Sequence, residues 1–108
     1  MARLETPALQ LELMADIAQV IHLAALAKSK PEGALLPGTA LEVGIINEAE
    51  RLELKADLWL LILEGELIID LPFGDFRVLK EGDCISLDKG LAVSFQPLEE
   101  VVVLRQTA

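Results

Sequence analysis

RLELKADLWLLILEG, residues 51–65, places two hydrophobic patterns side by side. In its first five residues leucines alternate with charged side chains, and successive side chains of a β-strand point to opposite faces. Leu52 and Leu54 are therefore predicted to face inward, with Arg51, Glu53 and Lys55 facing water. A slip of one residue would bury three charges, so the register of this strand is strongly specified.

The second half of the stretch, LWLLIL at residues 58–63, is apolar on both faces. Leu58, Leu60 and Ile62 alternate with three other large apolar side chains, and a strand apolar on both faces is covered on both. We expect the interior of a barrel to cover one face. The N-terminal segment or a second subunit is expected to cover the other.

From residue 34 onward the chain alternates short apolar runs with turn signals. The runs are ALLPG, ALEVGII, RLELK, LWLLIL, ELIIDL, FRVL, CISL, AVSF and VVVLR, separated by NEAE, PFGD, KEGD and DKG among others. Many short strands with regular turn punctuation predict an all-β sandwich or barrel rather than βαβ units. LPFGD is typical of the connection in a β-hairpin.

The N-terminal third has a different texture. Apolar residues in 11–27 recur at helical spacing, which predicts a helix with one buried face. A short strand at 19–23, QVIHL, is the alternative, because Val and Ile also favour sheet. We expect residues 1–33 to form a helical or mixed extension that packs on the barrel or on a dimer partner, and residues 34–108 to form the barrel, within one domain overall.

Composition excludes several classes of protein. The 108 residues are 53% apolar, enough for one domain with a large core, and no apolar run approaches the length of a membrane-spanning helix. Eighteen acidic against nine basic residues leave a net charge of −9, which disfavours nucleic acid and anionic membranes as partners. A lone cysteine and no recognisable export signal indicate a cytoplasmic protein.

Residues 56–90, ADLWLLILEGELIIDLPFGDFRVLKEGDCISLDKG, resemble a small single-domain cupin of the conserved-barrel type. Gly65 matches the closing glycine of the first cupin motif, G-x5-H-x-H-x3or4-E-x6-G. Gly82 and Gly90 match two glycines of the second, G-x5-P-x-G-x2-H-x3-N. The resemblance spans about residues 40–104 and implies a cupin-type double-sheet jelly-roll β-barrel, here with a short N-terminal helical segment. Cupins commonly dimerise, which implies a homodimer.

The same alignment assigns the metal-ligand positions of cupins to aliphatic residues. The two first-motif histidines correspond to Leu52 and Leu54, the glutamate to Leu58, and the second-motif histidine to Val93. Aliphatic side chains carry no lone pair for a metal, so we expect neither metal nor cofactor. The predicted binding residues are instead those that line the barrel interior at or near these positions: Leu52, Leu54, Leu58, Leu60, Ile62, Val93 and Phe95. They form either solid core or a dry apolar pocket.

Little else in the sequence favours catalysis. His22 is the only histidine, so no serine or threonine has a general base beyond it, and no glycine-rich phosphate loop is present. Cys84 is expected to be a small core hydrophobe and Arg105 an edge or exterior charge.

These residues favour a non-catalytic small-molecule-binding or interaction module that acts as a homodimer and accepts a small apolar ligand. The alternative is a metal-independent, isomerase-like enzyme that uses polar residues at the barrel mouth. The candidate catalytic residues of such an enzyme are the charged residues near the strands that resemble cupins: Glu64, Glu66, Asp70 and Arg105.

Overall fold

A computed structural model describes residues 20–107 of the chain. These residues form one short α-helix, one 3-10 turn at Pro72–Gly74, and nine β-strands. The elements are α1 (Leu23–Ser29), β1 (Ala34–Leu35), β2 (Leu41–Ile46), β3 (Glu50–Glu53), β4 (Leu58–Glu64), β5 (Leu67–Asp70), β6 (Phe76–Leu79), β7 (Cys84–Leu87), β8 (Ala92–Pro97) and β9 (Val101–Thr107).

The strands form two antiparallel sheets. The large sheet has five strands in the order β1-β2-β9-β4-β7, and the small sheet has four in the order β3-β8-β5-β6. Consecutive strands repeatedly alternate between the two sheets, as in a jelly roll. The all-β double-sheet architecture predicted from the turn punctuation is confirmed, as is the hairpin at LPFGD, which joins the paired strands β5 and β6.

The two sheets bury an apolar layer between them, which we call the inner cluster. Its fully buried members are Ile46, Leu54, Leu58, Leu60, Ile62, Leu67, Ile69, Leu79, Leu87, Val93, Phe95, Val101 and Val103. Burying a large aliphatic side chain stabilises a fold by about 1.5–3 kcal/mol, so this layer is the main source of barrel stability.

A second apolar layer, the outer cluster, lies on the opposite face of the large sheet. It is built around Ala27, Ala34, Val43, Val102 and Leu104, and the outward-facing residues of β4, Trp59, Leu61 and Leu63, pack against it. Helix α1 covers part of this face through Leu23, Ala24, Leu26 and Ala27. The inner face of LWLLIL is buried between the sheets, whereas Trp59, Leu61 and Leu63 on its outer face are only half-buried among residues 20–107, so full cover of that face stays a prediction.

The N-terminal expectation needs correction where the structure describes it. The helix begins at Leu23, and residues 20–22 before it are neither helix nor strand; His22 is extended, with φ −90° and ψ 103°. Val20 and Ile21 are β-branched and have lower helix propensity than the LAALAKS run that follows. The strand alternative is wrong for residues 20–23, and residues 11–19 lie outside the described part of the chain. No helix within residues 20–107 is long and apolar enough to cross a membrane.

The alternation in RLELK is confirmed. Leu54 is buried and Leu52 half-buried against the inner cluster, whereas Arg51, Glu53 and Lys55 are exposed. The strand β3 pairs with β8, so this alternation forms part of the small sheet and aims the two leucines at the space between the sheets.

Candidate functional site

The seven residues predicted to line the barrel interior lie in one apolar layer. Leu54, Leu58, Leu60, Ile62, Val93 and Phe95 are members of the inner cluster, and Leu52 packs against it. Leu52 and Val93 are direct partners across β3 and β8. The four positions that the sequence alignment matches to cupin ligands therefore lie within or against one apolar cluster. Their role in binding stays a prediction. The side chains themselves occupy the apolar layer between the sheets.

These positions do not fit a metal ion. Leu52, Leu54, Leu58 and Val93 offer no nitrogen, oxygen or sulfur donor. Among the described residues no polar or charged side chain is fully buried. No three or more His, Cys, Asp or Glu side chains of residues 20–107 are grouped so as to hold a metal ion. The donor chemistry of the barrel interior is therefore unsuited to the metal that cupins commonly bind.

A groove of about 440 Å³, which we call the mouth groove, opens between the β5–β6 hairpin and strand β7. Its inner wall consists of Leu71, Ile85, Leu87 and Leu91. Leu87 belongs to the inner cluster and the other three are half-buried against it. The mouth groove is therefore a place where the apolar interior of the barrel reaches the surface.

Charges at the mouth groove compensate one another. Arg77 Nη1 donates a hydrogen bond of 2.8 Å to Asp75 Oδ1, and both residues line the groove. This bond, with a second from the backbone N–H of Phe76, lowers the pKa of the Asp75 carboxyl below its ordinary value. Asp75 is therefore ionised at neutral pH and paired with Arg77, which leaves the groove without net charge from this pair.

A second groove, the outer groove, lies against the small sheet and has a volume of about 740 Å³. Arg51, Ser94 and Asp70 are successive cross-strand partners in β3, β8 and β5, so their side chains share the outward face of the sheet. Glu53 adds a second carboxylate to the lining. Asp70 accepts a hydrogen bond from the side-chain amide of Gln96. The outer groove thus has a mixed lining that is more polar than that of the mouth groove.

The hairpin connection at residues 71–75 separates the two grooves. Leu71, Pro72, Phe73 and Asp75 line both of them. The connection is closed by a hydrogen bond of 2.8 Å from the Leu71 N–H to the Asp75 carbonyl. This short hydrogen-bonded loop therefore forms a wall that the mouth groove and the outer groove share.

The position of Arg105 differs from the expected edge or exterior charge. Its strand, β9, lies between β2 and β4 rather than at an edge, and Glu42, Arg105 and Leu60 are cross-strand partners on the inward face. Arg105 Nε lies 2.8 Å from Glu42 Oε1, and Nη2 lies 3.2 Å from the Glu32 carbonyl oxygen. The guanidinium group is accommodated on this face because a carboxylate and a carbonyl satisfy its donors.

The position of Cys84 also differs from the expected one in the core. It is exposed rather than part of the core, because its strand β7 forms the edge of the large sheet and its side chain lies on the outer face, opposite Leu61. His22 is also exposed, as expected of a surface histidine. Asp83, beside Cys84, accepts a hydrogen bond of 2.9 Å from the Lys80 N–H.

Sequence reasoning missed the four residues of the mouth groove wall. For Ile85 and Leu87 a signal was present, since the alternation in CISL places both on one strand face. Leu71 and Leu91 each flank a turn, where alternation carries little information. Of the seven predicted residues, Leu52 and Val93 contribute to the outer groove, while Leu58 and Phe95 contribute to smaller surface grooves.

The chain is similar in structure to several solved cupin-type proteins. A cupin-2 domain containing protein from Shewanella frigidimarina superposes with a TM-score of 0.68 at 14% identity, over 82% of this chain and 95% of that one. A DUF861 family protein from Thermotoga maritima gives a TM-score of 0.57 at 21% identity, over 61% of this chain and 76% of that one.

A putative ethanolamine utilization protein Q from Salmonella typhimurium gives a TM-score of 0.55 at 26% identity. The match covers 65% of this chain and only 58% of that protein. The sequence matches no protein-family model and no curated protein. The structural similarities confirm the cupin-type β-barrel fold that the sequence resemblance implies.

Proposed function

We propose that this chain is a metal-free cupin-type protein that binds a small apolar molecule without catalysis and acts as a homodimer. The mouth groove carries the proposal. Its apolar wall of Leu71, Ile85, Leu87 and Leu91 is continuous with the barrel core. Ligand pockets in proteins typically have volumes of about 300–1,000 Å³ and predominantly apolar walls, and the mouth groove has both properties.

The chemistry around the groove supports binding rather than turnover. The charged residues that line it, Asp75 and Arg77, are hydrogen-bonded to each other, so neither is positioned to exchange a proton with a bound molecule. The aliphatic residues at the former ligand positions support the absence of a metal site, because polar ligands without metal would be buried and unsatisfied, at about 1–3 kcal/mol each.

Binding is tested with N-phenyl-1-naphthylamine, a neutral aromatic dye whose fluorescence rises in apolar surroundings. We expect the full-length protein to bind it saturably and Leu71→Gln to weaken binding about tenfold, equivalent to about 1.4 kcal/mol. Leu36→Gln is the matched control, because Leu36 is also a half-buried leucine, packed against the outer cluster, and lies outside the mouth groove. Equal losses in both variants, or no binding by the unaltered protein, would refute the proposal.

The homodimer is supported by the apolar outer cluster. Trp59, Leu61 and Leu63 remain only half-buried there among the described residues, on a face that ends at the edge strand β7. A second copy packing on this face would remove that apolar surface from water. Size-exclusion chromatography with light scattering should give twice the chain mass of 11.7 kDa. A mass equal to one chain across the micromolar range would contradict the dimer.

The outer groove favours a second candidate, a metal-independent enzyme. It places two carboxylates, Asp70 and Glu53, beside Arg51 and Ser94. The carboxylates could act as general acid and base, and the guanidinium group of Arg51 could bind an anionic group of a substrate. Of the four charges predicted for this role, only Asp70 lies there; Arg105 pairs with Glu42, and Glu64 and Glu66 lie within ion-pair distance of lysines.

Incubation with a panel of sugars in D₂O distinguishes this candidate from a binding module. An isomerase that abstracts a carbon-bound proton incorporates deuterium, visible by NMR, and Asp70→Asn should abolish the incorporation. Absence of deuterium uptake with every sugar of the panel would count against the enzyme.

A further inference from the structure

Phe73, in the wall between the two grooves, combines an unfavourable backbone conformation with complete exposure. Its φ of 65° and ψ of 30° lie in the left-handed region, which bulky residues rarely occupy. Its relative exposure is 104%, so the ring makes no packing contact that compensates for this conformation. Strain of this kind persists only where the surroundings enforce it, and it concentrates at ligand sites.

The hydrogen bonds of the hairpin hold Phe73 in this position. The Leu71 N–H donates to the Asp75 carbonyl, and Asp75 Oδ1 accepts both from the Phe76 N–H at 2.9 Å and from Arg77. The base of the loop is thus closed, and the ring of Pro72 fixes the φ angle of the residue that directly precedes Phe73. The loop therefore projects the ring away from the barrel instead of burying it.

The position of Phe73 relates it directly to the mouth groove. Phe73 lines that groove together with the wall residues Ile85 and Leu91, and it also lines the outer groove. A molecule resting on this wall would have the barrel core beneath it and Phe73 at its exposed side. Covering the ring would also remove its apolar surface from water, so ligand and ring would be buried together.

We propose that Phe73 caps the mouth groove and selects ligands with a flat aromatic ring. This inference rests on the proposed function of the groove. An aromatic ring gains from stacking on Phe73 beyond the gain from apolar contact alone, whereas a saturated ring of equal size does not. Asp75 and Arg77 satisfy each other, and the acidity of the chain opposes anions, so the ligand class is an uncharged aromatic small molecule.

The test compares variants of Phe73 with a matched control in the same dye-binding measurement. Phe73→Ala should weaken binding of N-phenyl-1-naphthylamine about three- to tenfold, the range expected for loss of one aromatic pair. Phe76→Ala is the control, because Phe76 is also exposed and only three residues away but does not line the mouth groove. It should change binding less than twofold.

Two further readouts separate capping from a structural role. Naphthalene should displace the dye from the unaltered protein more effectively than decalin, and Phe73→Leu should abolish that preference while keeping an apolar side chain. Phe73→Gly should raise the midpoint of urea unfolding, since glycine adopts positive φ without strain, and yet weaken binding.

The outcomes distinguish this inference from the proposal on which it rests. If the dye binds and Leu71→Gln weakens it while Phe73→Ala does not, the groove binds ligands without an aromatic cap and the inference is wrong. Equal displacement by naphthalene and decalin also overturns it. If the unaltered protein fails to bind the dye, both the proposed function and the cap are refuted.

Discussion

Leu52 and Val93 face each other directly across the antiparallel strands β3 and β8. The sequence alignment to cupin motifs assigns a histidine position to each of them, although they lie 41 positions apart in the chain. Opposed residues in an antiparallel pair have Cβ atoms about 4.5–5.5 Å apart, close enough for two imidazoles to share one ion. The pairing therefore agrees with the register by which the ligand positions were assigned.

Restoring the motif residues should create a metal site. The combined variant Leu52→His, Leu54→His, Leu58→Glu and Val93→His should bind Ni²⁺ or Mn²⁺ by isothermal titration calorimetry. It should also gain thermal stability on adding metal, because binding to the native state alone raises its stability. Without metal it should be less stable than the parent, because each buried polar group lacks a partner.

The matched control for this site keeps Val93 and changes the other three residues. It should bind metal more weakly, since it lacks the ligand contributed by β8. A quadruple variant that folds, judged by circular dichroism, but binds no better than this triple variant would show that the assigned register is wrong.

Gly65 should be far less tolerant of alanine than Gly90, although the two have nearly equal φ angles of 92° and 94°. A Cβ at Gly65 would lie 2.8 Å from the Glu100 carbonyl oxygen, whereas nothing lies within 4 Å at Gly90. Both alanines pay a conformational penalty of about 1–2 kcal/mol, and only Gly65→Ala adds a collision with backbone. Urea unfolding should therefore show the larger loss at Gly65; equal losses would mean that the chain near Glu100 moves freely.

The Arg105–Glu42 pair should contribute measurably to stability. Its side chains are 24% and 41% exposed, and Arg105 also donates to the Glu32 carbonyl. We expect Arg105→Ala to lower the free energy of unfolding by about 1–2 kcal/mol after allowance for solvent screening. Lys55→Ala removes the Lys55–Glu53 pair, whose side chains are 87% and 63% exposed. This variant should change the free energy of unfolding by less than about 0.5 kcal/mol. If Arg105→Ala lowered the free energy of unfolding no more than Lys55→Ala does, the predicted contribution of the Arg105–Glu42 pair would be contradicted.

The Asp75–Arg77 pair predicts a pH response at the mouth groove. The pKa of Asp75 is lowered in the folded chain, mainly by the hydrogen bond from Arg77, so its contribution to stability is present above the unfolded pKa. That contribution is lost as the pH falls through the folded pKa, in the acid range below the ordinary value of 3.8.

Carboxyl-detected NMR titration measures this shift directly. Asp75 should titrate below its ordinary range in the parent, and Arg77→Ala should return its pKa toward that range. Lys80→Ala, which removes a neighbouring cation that lies near Glu66 instead, should leave the pKa of Asp75 unchanged. A pKa of Asp75 that is the same in the parent and in Arg77→Ala would show that the pair does not form in solution.

The sequence by itself determined the strands and the inward-facing leucines, because alternation and turn residues act locally. RLELK allows only one register without burying charge, and Gly65, Gly82 and Gly90, which match glycines of the cupin motifs, all have positive φ. Residue identity alone also establishes that Leu52, Leu54, Leu58 and Val93 carry no metal donors.

Tertiary structure decided the location of the grooves and the surroundings of single polar residues. Whether Cys84 is buried depends on its strand being at a sheet edge, and whether Arg105 finds Glu42 depends on β2 pairing with β9. Leu71, Ile85 and Leu91 meet at the mouth groove although they come from different turns and strands. Such sites arise from contacts between residues distant in the chain, which a local hydrophobic pattern does not encode.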